Sequence, residues 1–265
     1  MSTSWKQKTK SSDAWLGQFS RLRAFSVHLI IGLVIFSILS ALIIFIWYPA
    51  ALFYTDGGWQ GLRIIAGVDI VLGPALTLMF FKKHKPGLTL DVSVIATLQI
   101  IALIIGIITV YHSRPAVITF ASNAAIGFTP SQLKDAQNQL AALNIQADTP
   151  NTNLVSWPAL YEIVPPTDKA QRKTFFNEMY KAGYPIPHLR IDQYNSLQNR
   201  LPTTAAVNIE NAVDAATLKE ILSKYKIDQG DLLFYRYSPR YTNDTVFIVL
   251  DKNTHEVLDY LLVNK

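Results

Sequence analysis

Three apolar runs dominate the first 111 residues: Ala24 to Tyr48, Leu62 to Phe81, and Leu88 to Tyr111. Each is long enough to span a bilayer, because about 20 residues at 1.5 Å rise cover the roughly 30 Å hydrocarbon core. Asp91 is the only charged residue in the third run. Soluble helices bury one stripe and wet the other, and these runs have almost no polar face to wet. The sequence therefore predicts a membrane protein with three transmembrane α-helices. The first run is too long for the apolar core of a signal peptide and ends in aromatic residues, so it is expected to remain as an anchor.

Basic residues set the expected orientation. Lys6, Lys8, Lys10, Arg21 and Arg23 precede the first run, and Lys82, Lys83 and Lys85 lie between the second and third, whereas the Pro49 to Gly61 loop has none. By the positive-inside rule the N-terminus and the "KKHKPG" turn are cytoplasmic, and residues after Tyr111 lie outside. Residues 1–112 hold nine basic against four acidic side chains, and the remainder holds fifteen of each. The net charge of +5 is thus a topology signal and gives no reason to expect nucleic acid as a partner. The expected domains are a basic cytoplasmic N-terminus (1–23), a three-helix membrane domain (24–112, spans about 24–48, 62–81 and 88–111) and a periplasmic α+β domain (113–265).

The chain has no cysteine, which removes thiol catalysis, thiolate metal sites and disulfides. The outer domain must rest on its core, and about 150 residues suffice for one. "RPAVITFA" reads as a strand with "NAAIGF" as its returning partner, and Thr129-Pro130 opens a helix to about Leu143. The Pro- and Asn-rich stretch that follows reads as loop with one short strand. A second helix is capped at Thr167 or Asp168 and ends at Gly183, a short one is expected from Ile191 to Leu201, and another is capped near Asn211 or Asp214. After Gly230 the period changes to two, and three strands form a C-terminal antiparallel meander whose last pair is joined by "DKNTH".

Catalytic signatures are not found. The histidines 28, 84, 112, 188 and 255 have no metal-ligand spacing, no glycine-rich phosphate loop follows a soluble strand, and no nucleophile is paired with a base. Neither enzyme activity nor a cofactor nor a metal is expected. The string "FYRYSPRY" reads as a strand with one buried face, with an aromatic binding face as the alternative.

The unusual polar feature is Asp69 in "VDIVLGPALT". It is expected about seven residues, or roughly 10 Å, from the outer end of the second span, where an aspartate costs somewhat less than the ~2.5–3.5 kcal/mol of mid-membrane. Ala66, Asp69, Gly73 and Thr77 fall on one helical stripe, matched in the third span by Gln99, Ala102, Gly106 and Thr109. Small residues permit close helix approach and polar ones bond across it. Asp69 is expected to hydrogen-bond Ser37, Ser40 or Gln99, with Pro74 kinking the helix and freeing the Ile70 carbonyl. The sharper alternatives are a proton or ion relay in a small transporter component and recognition of a foreign helix. A membrane-anchored periplasmic enzyme is a third reading.

The strings "WYPAALFYTDGGWQGLRI", "VDIVLGPALTL", "KPGLTLDVSVIATLQIIAL" and "YHSRPAVITF", in that order, resemble the N-terminal pattern of the TfpX/TfpZ family of type IV pilin accessory proteins. The likeness covers residues 24 to 121, and "VFIVLDKNTHEVL" resembles the family's ending. The segment from about 122 to 230 has no counterpart. The resemblance implies an inner-membrane accessory factor or chaperone for a cognate type IV pilin, with membrane lipid and the pilus assembly machinery as further partners. It carries over Trp47, Tyr48, Pro49, Asp56, Gly57, Gly58, Trp59, Gln60, Gly61, Asp69, Gly73, Pro74, Pro86, Gly87, Asp91, Gln99, Arg114 and Pro115. Trp47 to Trp59 would form an aromatic and acidic collar at the outer membrane interface.

Overall fold

The computed structural model describes residues 18–83, 85–121, 124–150, 152, 156–181, 183, 187–211, 213–225 and 229–263. Lys6, Lys8, Lys10 and His84 lie outside these. The chain divides into two compact units, one running up to Leu42 and resuming at Trp59–Tyr111, the other comprising Ile43–Gly58 and His112 onward.

Among the described residues, three helices are long and apolar enough to cross a membrane: Arg21–Trp47, Gly58–Phe80 and Leu88–Ser113. The first comprises α1 (Arg21–Leu42) and a π-helical turn at Ile43–Trp47. A short α2 (Leu52–Thr55) follows. The second long helix starts at Gly58, four residues before the expected Leu62, and runs as α3 (Gly58–Ala66), a π-helical segment (Gly67–Leu72) and α4 (Gly73–Phe80). The third is α5 (Leu88–Ser113). Large apolar side chains such as Ile30, Ile38, Ile64, Leu98 and Ile105 point outward from all three, the reverse of a water-soluble bundle.

The π segment answers Pro74. Proline lacks the N–H that would bond Ile70, and here the Gly73 N–H reaches back five residues to the Val68 carbonyl. A wider turn, rather than the simple α-helical repeat of the sequence reading, therefore sets where Asp69 points. Close packing then relies on glycine: a Cβ on Gly32 of α1 would stand 2.9 Å from the Asp69 carbonyl oxygen, and one on Gly61 2.5 Å from Val110 Cγ2. Gly106 sits near Ile65, at 3.4 Å by the same measure.

The other unit is built on one seven-stranded mixed sheet in the order β4-β3-β1-β2-β5-β6-β7. β1 (Val117–Ala121) and β2 (Ala124–Phe128) form the expected antiparallel pair. α6 (Pro130–Ala142) begins in a capping box, with the Thr129 hydroxyl accepting from the Gln132 N–H and Gln132 Oε1 from the Thr129 N–H. β3 (Ala159–Glu162) pairs parallel with β1, α7 (Lys169–Lys181) is capped by Asp168, and α8 (Ala215–Tyr225) by Asp214. The Ile191 to Leu201 helix does not form: a 3-10 turn at Ile191–Gln193 leads into β4 (Asn195–Ser196), which pairs with β3. β5 (Leu232–Ser238), β6 (Thr245–Asp251) and β7 (Val257–Val263) form the expected meander.

β2 and β5 pair in parallel, joining the N-terminal hairpin to the meander. Cores lie on both faces of the sheet. Ile118, Phe120, Tyr235, Tyr237, Ile248 and Tyr260 form the largest, and Ile221 of α8 covers Phe234 and Val249 on the other side. "FYRYSPRY" is accordingly buried on both faces at Phe234, Tyr235 and Tyr237, where the sequence suggested one.

Candidate functional site

Asp69 lies at the midpoint of the Gly58–Phe80 helix, eleven residues from each end. That is about 16 Å along the axis, deeper than the 10 Å expected, because the helix begins earlier than the apolar run. The residue is only 5% exposed, and its Oδ2 has no hydrogen-bond partner among the described residues. The expected bonds to Ser37 and Ser40 are not made. Both hydroxyls donate within their own helix, to the Leu33 and Phe36 carbonyls, the ordinary local outlet for serine in an apolar helix.

Instead, Asp69 lines a cavity of about 430 Å³ shared by all three long helices. His28, Thr77 and Gln99 are its other polar lining residues, and the rest of the wall is aliphatic or aromatic. His28 Nδ1 and Thr77 Oγ1 are 2.6 Å apart, which joins α1 to α4. Gly73 makes room for Gln99: a Cβ there would lie 1.7 Å from Gln99 Nε2. Asp69, Gly73, Pro74 and Thr77 are buried, while Ala66 is half-buried. Asp69 and Thr77 on one polar and small-residue stripe, and Gln99 on the similar stripe of the third span, come together at one cavity. His28 also lines this cavity and is not legible from the sequence, because its 49-residue separation from Thr77 leaves no local signal.

Trp47, Tyr48, Pro49, Asp56, Gly57 and Gly58 group with the sheet-bearing unit, which otherwise begins at His112. Trp47, Tyr48, Leu52 and Phe53 are buried in the protein. Asp56 is fully buried, and its Oδ1 accepts from Tyr237 Oη at 2.8 Å and from Arg240 Nε at 2.9 Å, while Oδ2 accepts from Thr55 Oγ1. Arg240 Nη2 also donates to the Asp56 and Ser113 carbonyls. Burial, with the adjacent Asp56 carboxylate, pushes the Tyr237 phenol up, so it remains a donor. Gly57 takes φ +101°, a conformation open to glycine, where a Cβ would meet the Tyr241 ring at 3.0 Å. The main chain adds Ala51 N–H to the Tyr260 carbonyl and Tyr241 N–H to the Thr55 carbonyl. These residues staple the segment between the first two long helices to the sheet. Trp59, by contrast, is 44% exposed, with the Arg63 guanidinium over its ring.

Fold and cavity together define a class: a helical unit with three helices long and apolar enough to cross a membrane, carrying a mixed-sheet domain to which the first inter-helix segment is bonded. The chain is 30% identical over 96 residues to the fimbrial assembly protein of serogroups C1 and C2 of Dichelobacter nodosus, which is 36% of this chain and 73% of that protein. The same identity and length relate it to the serogroup I and serogroup E1 fimbrial assembly proteins of that organism, with 37% of each covered. The chain belongs to this family of fimbrial assembly proteins. The match thus spans just over a third of the two longer relatives' length. No family model and no solved structure matches the chain.

Proposed function

We propose that this chain is an inner-membrane accessory factor of the TfpX/TfpZ kind that assists the production, stability or assembly of a cognate type IV pilin. The observation that carries the reading is its 30% identity to the Dichelobacter nodosus fimbrial assembly protein across 73% of that protein. The three long helices support a membrane location through their outward aliphatic surfaces. The Lys and Arg distribution supports a cytoplasmic N-terminus and a periplasmic sheet domain. The role is that of a chaperone, not an enzyme: the helical unit meets the pilin's apolar helix and the sheet domain its globular part. Deleting the gene should lower surface pili while pilin transcription is unchanged, and the intact gene in trans should restore them. Normal pilus number in the deletion strain would overturn the reading.

A further inference from the structure

The cavity around Asp69 has a shape and chemistry that select an occupant. Its walls include Ile31 and Ile35 of α1 and Ala96 and Ile100 of α5, all outward-exposed, and its floor includes Asp69 and Thr77 of the middle helix. It is therefore a groove between the first and third helices, open sideways. Its volume of about 430 Å³ falls in the range of ordinary binding pockets. In its floor sits one carboxylate oxygen, buried and without a hydrogen-bond donor. Such a group is costly in an apolar surrounding, and an N–H or O–H from outside would satisfy it.

Depth decides what brings that donor. Asp69 is eleven residues from both ends of its helix, so in the proposed membrane setting it lies near the bilayer centre. A lipid acyl chain could fill the groove, but it carries no donor at that level. A second transmembrane helix can present one on a side chain and cover the exposed aliphatic rims in the same act. We infer that the groove between α1 and α5 is the seat of a partner's single transmembrane helix, which donates a hydrogen bond from a polar side chain at bilayer-centre depth to Asp69. On the function proposed above, that helix belongs to the pilin.

The test uses the full chain in its native membrane, with a photocrosslinking residue at Ile31 or Ile100 on the rims, or at Ile64 or Val71 as exposed controls on the middle helix. Antibody to the organism's major pilin reads the product. Rim positions should capture pilin, and the controls at least about tenfold less, as expected where one position lies in the contact and the other faces lipid. Asp69→Asn keeps an acceptor and should hold capture within about threefold, whereas Asp69→Leu should cut it about tenfold, the upper scale of one hydrogen bond. Ala96→Trp fills the groove from an exposed position while leaving the Asp69 side chain in place, and it should abolish capture at normal protein level. Capture of lipid or of a second copy of this chain alone at the rims, equal pilin capture at the controls, or undiminished capture in Ala96→Trp would overturn the inference. The deletion phenotype stands apart: loss of pili in the deletion strain without pilin capture at the rims rejects the groove and leaves the accessory function in place.

Discussion

At the residue scale, the functional unit hangs on a few buried charges, each with a different obligation. Asp56 has its partners inside the same unit: Arg240, Tyr237 and Thr55 satisfy it from three directions. Arg240→Ala would leave that carboxylate buried with its cation removed and should destabilise the sheet domain by about 3–5 kcal/mol, read as a lower unfolding temperature or faster proteolysis. Tyr237→Phe keeps the ring and removes one bond to a charged acceptor, so its cost should be about 1.5–3 kcal/mol. Equal stability of Arg240→Ala and the natural protein would contradict the staple.

His188 carries a pH signature. Its Nε2 lies 3.2 Å from the Ala124 carbonyl, Nδ1 is buried without a hydrogen-bond partner among the described residues, and burial pushes the imidazole below its usual value of 6.5. The unfolded chain therefore takes up this proton first as pH falls. Stability contributed by the neutral ring is complete above about pH 6.5 and is lost as pH drops through that value toward the lower folded one, at no more than ~1.4 kcal/mol per unit. Unfolding midpoints between pH 7.5 and 5.5 should fall, and His188→Gln should flatten the slope. A slope unchanged in His188→Gln would assign the acid sensitivity elsewhere.

At the scale of elements, the legible parts were those written locally. Thr129-Pro130-x-Gln132 specifies a helix start by capping chemistry, and the meander follows from alternation and the "DKNTH" turn. β3 and β4 were not legible as a pair: four and two residues carry too little periodicity, and β3 exists because β1 and β4 flank it. The segment from Ile191 to Leu201 has helical composition, but Leu197 is drawn into the core and Asn195–Ser196 bonds to β3. In the second long helix, Gly-Pro announced an interruption without revealing its form, a π segment. That helix yields an ordered pair of predictions. Gly32→Ala places a methyl against the Asp69 main-chain oxygen, which cannot rotate away, whereas Gly73→Ala meets the mobile end of Gln99. Gly32→Ala should therefore lower the folded level in the membrane more than Gly73→Ala, as measured by thermal stability in detergent. The opposite order would mean that α1 does not pack on the π segment as described.

At the scale of the whole molecule, apolar run length was enough to find the helical unit, and run length missed what the loop between the first two runs does. Trp47, Tyr48 and Asp56 flank apolar runs, and nothing local shows that Asp56 bonds to Arg240 and Tyr237, or Ala51 to Tyr260, some 180 to 210 positions away. His28 was invisible as a cavity residue for the same reason. With the basic residues inside, a phosphatase reporter fused after Gly127 should be active and one at Lys83 inactive, and the reverse would invert the topology.

The central claim is that this chain serves a pilin within the membrane. The most direct measurement is photocrosslinking from Ile31 and Ile100 in cells that make their own major pilin, with surface pili counted in the same strains. The account predicts pilin captured at both rim positions, capture abolished by Ala96→Trp at unchanged protein level, and few surface pili in that variant. Normal piliation together with no pilin captured at either rim would contradict it.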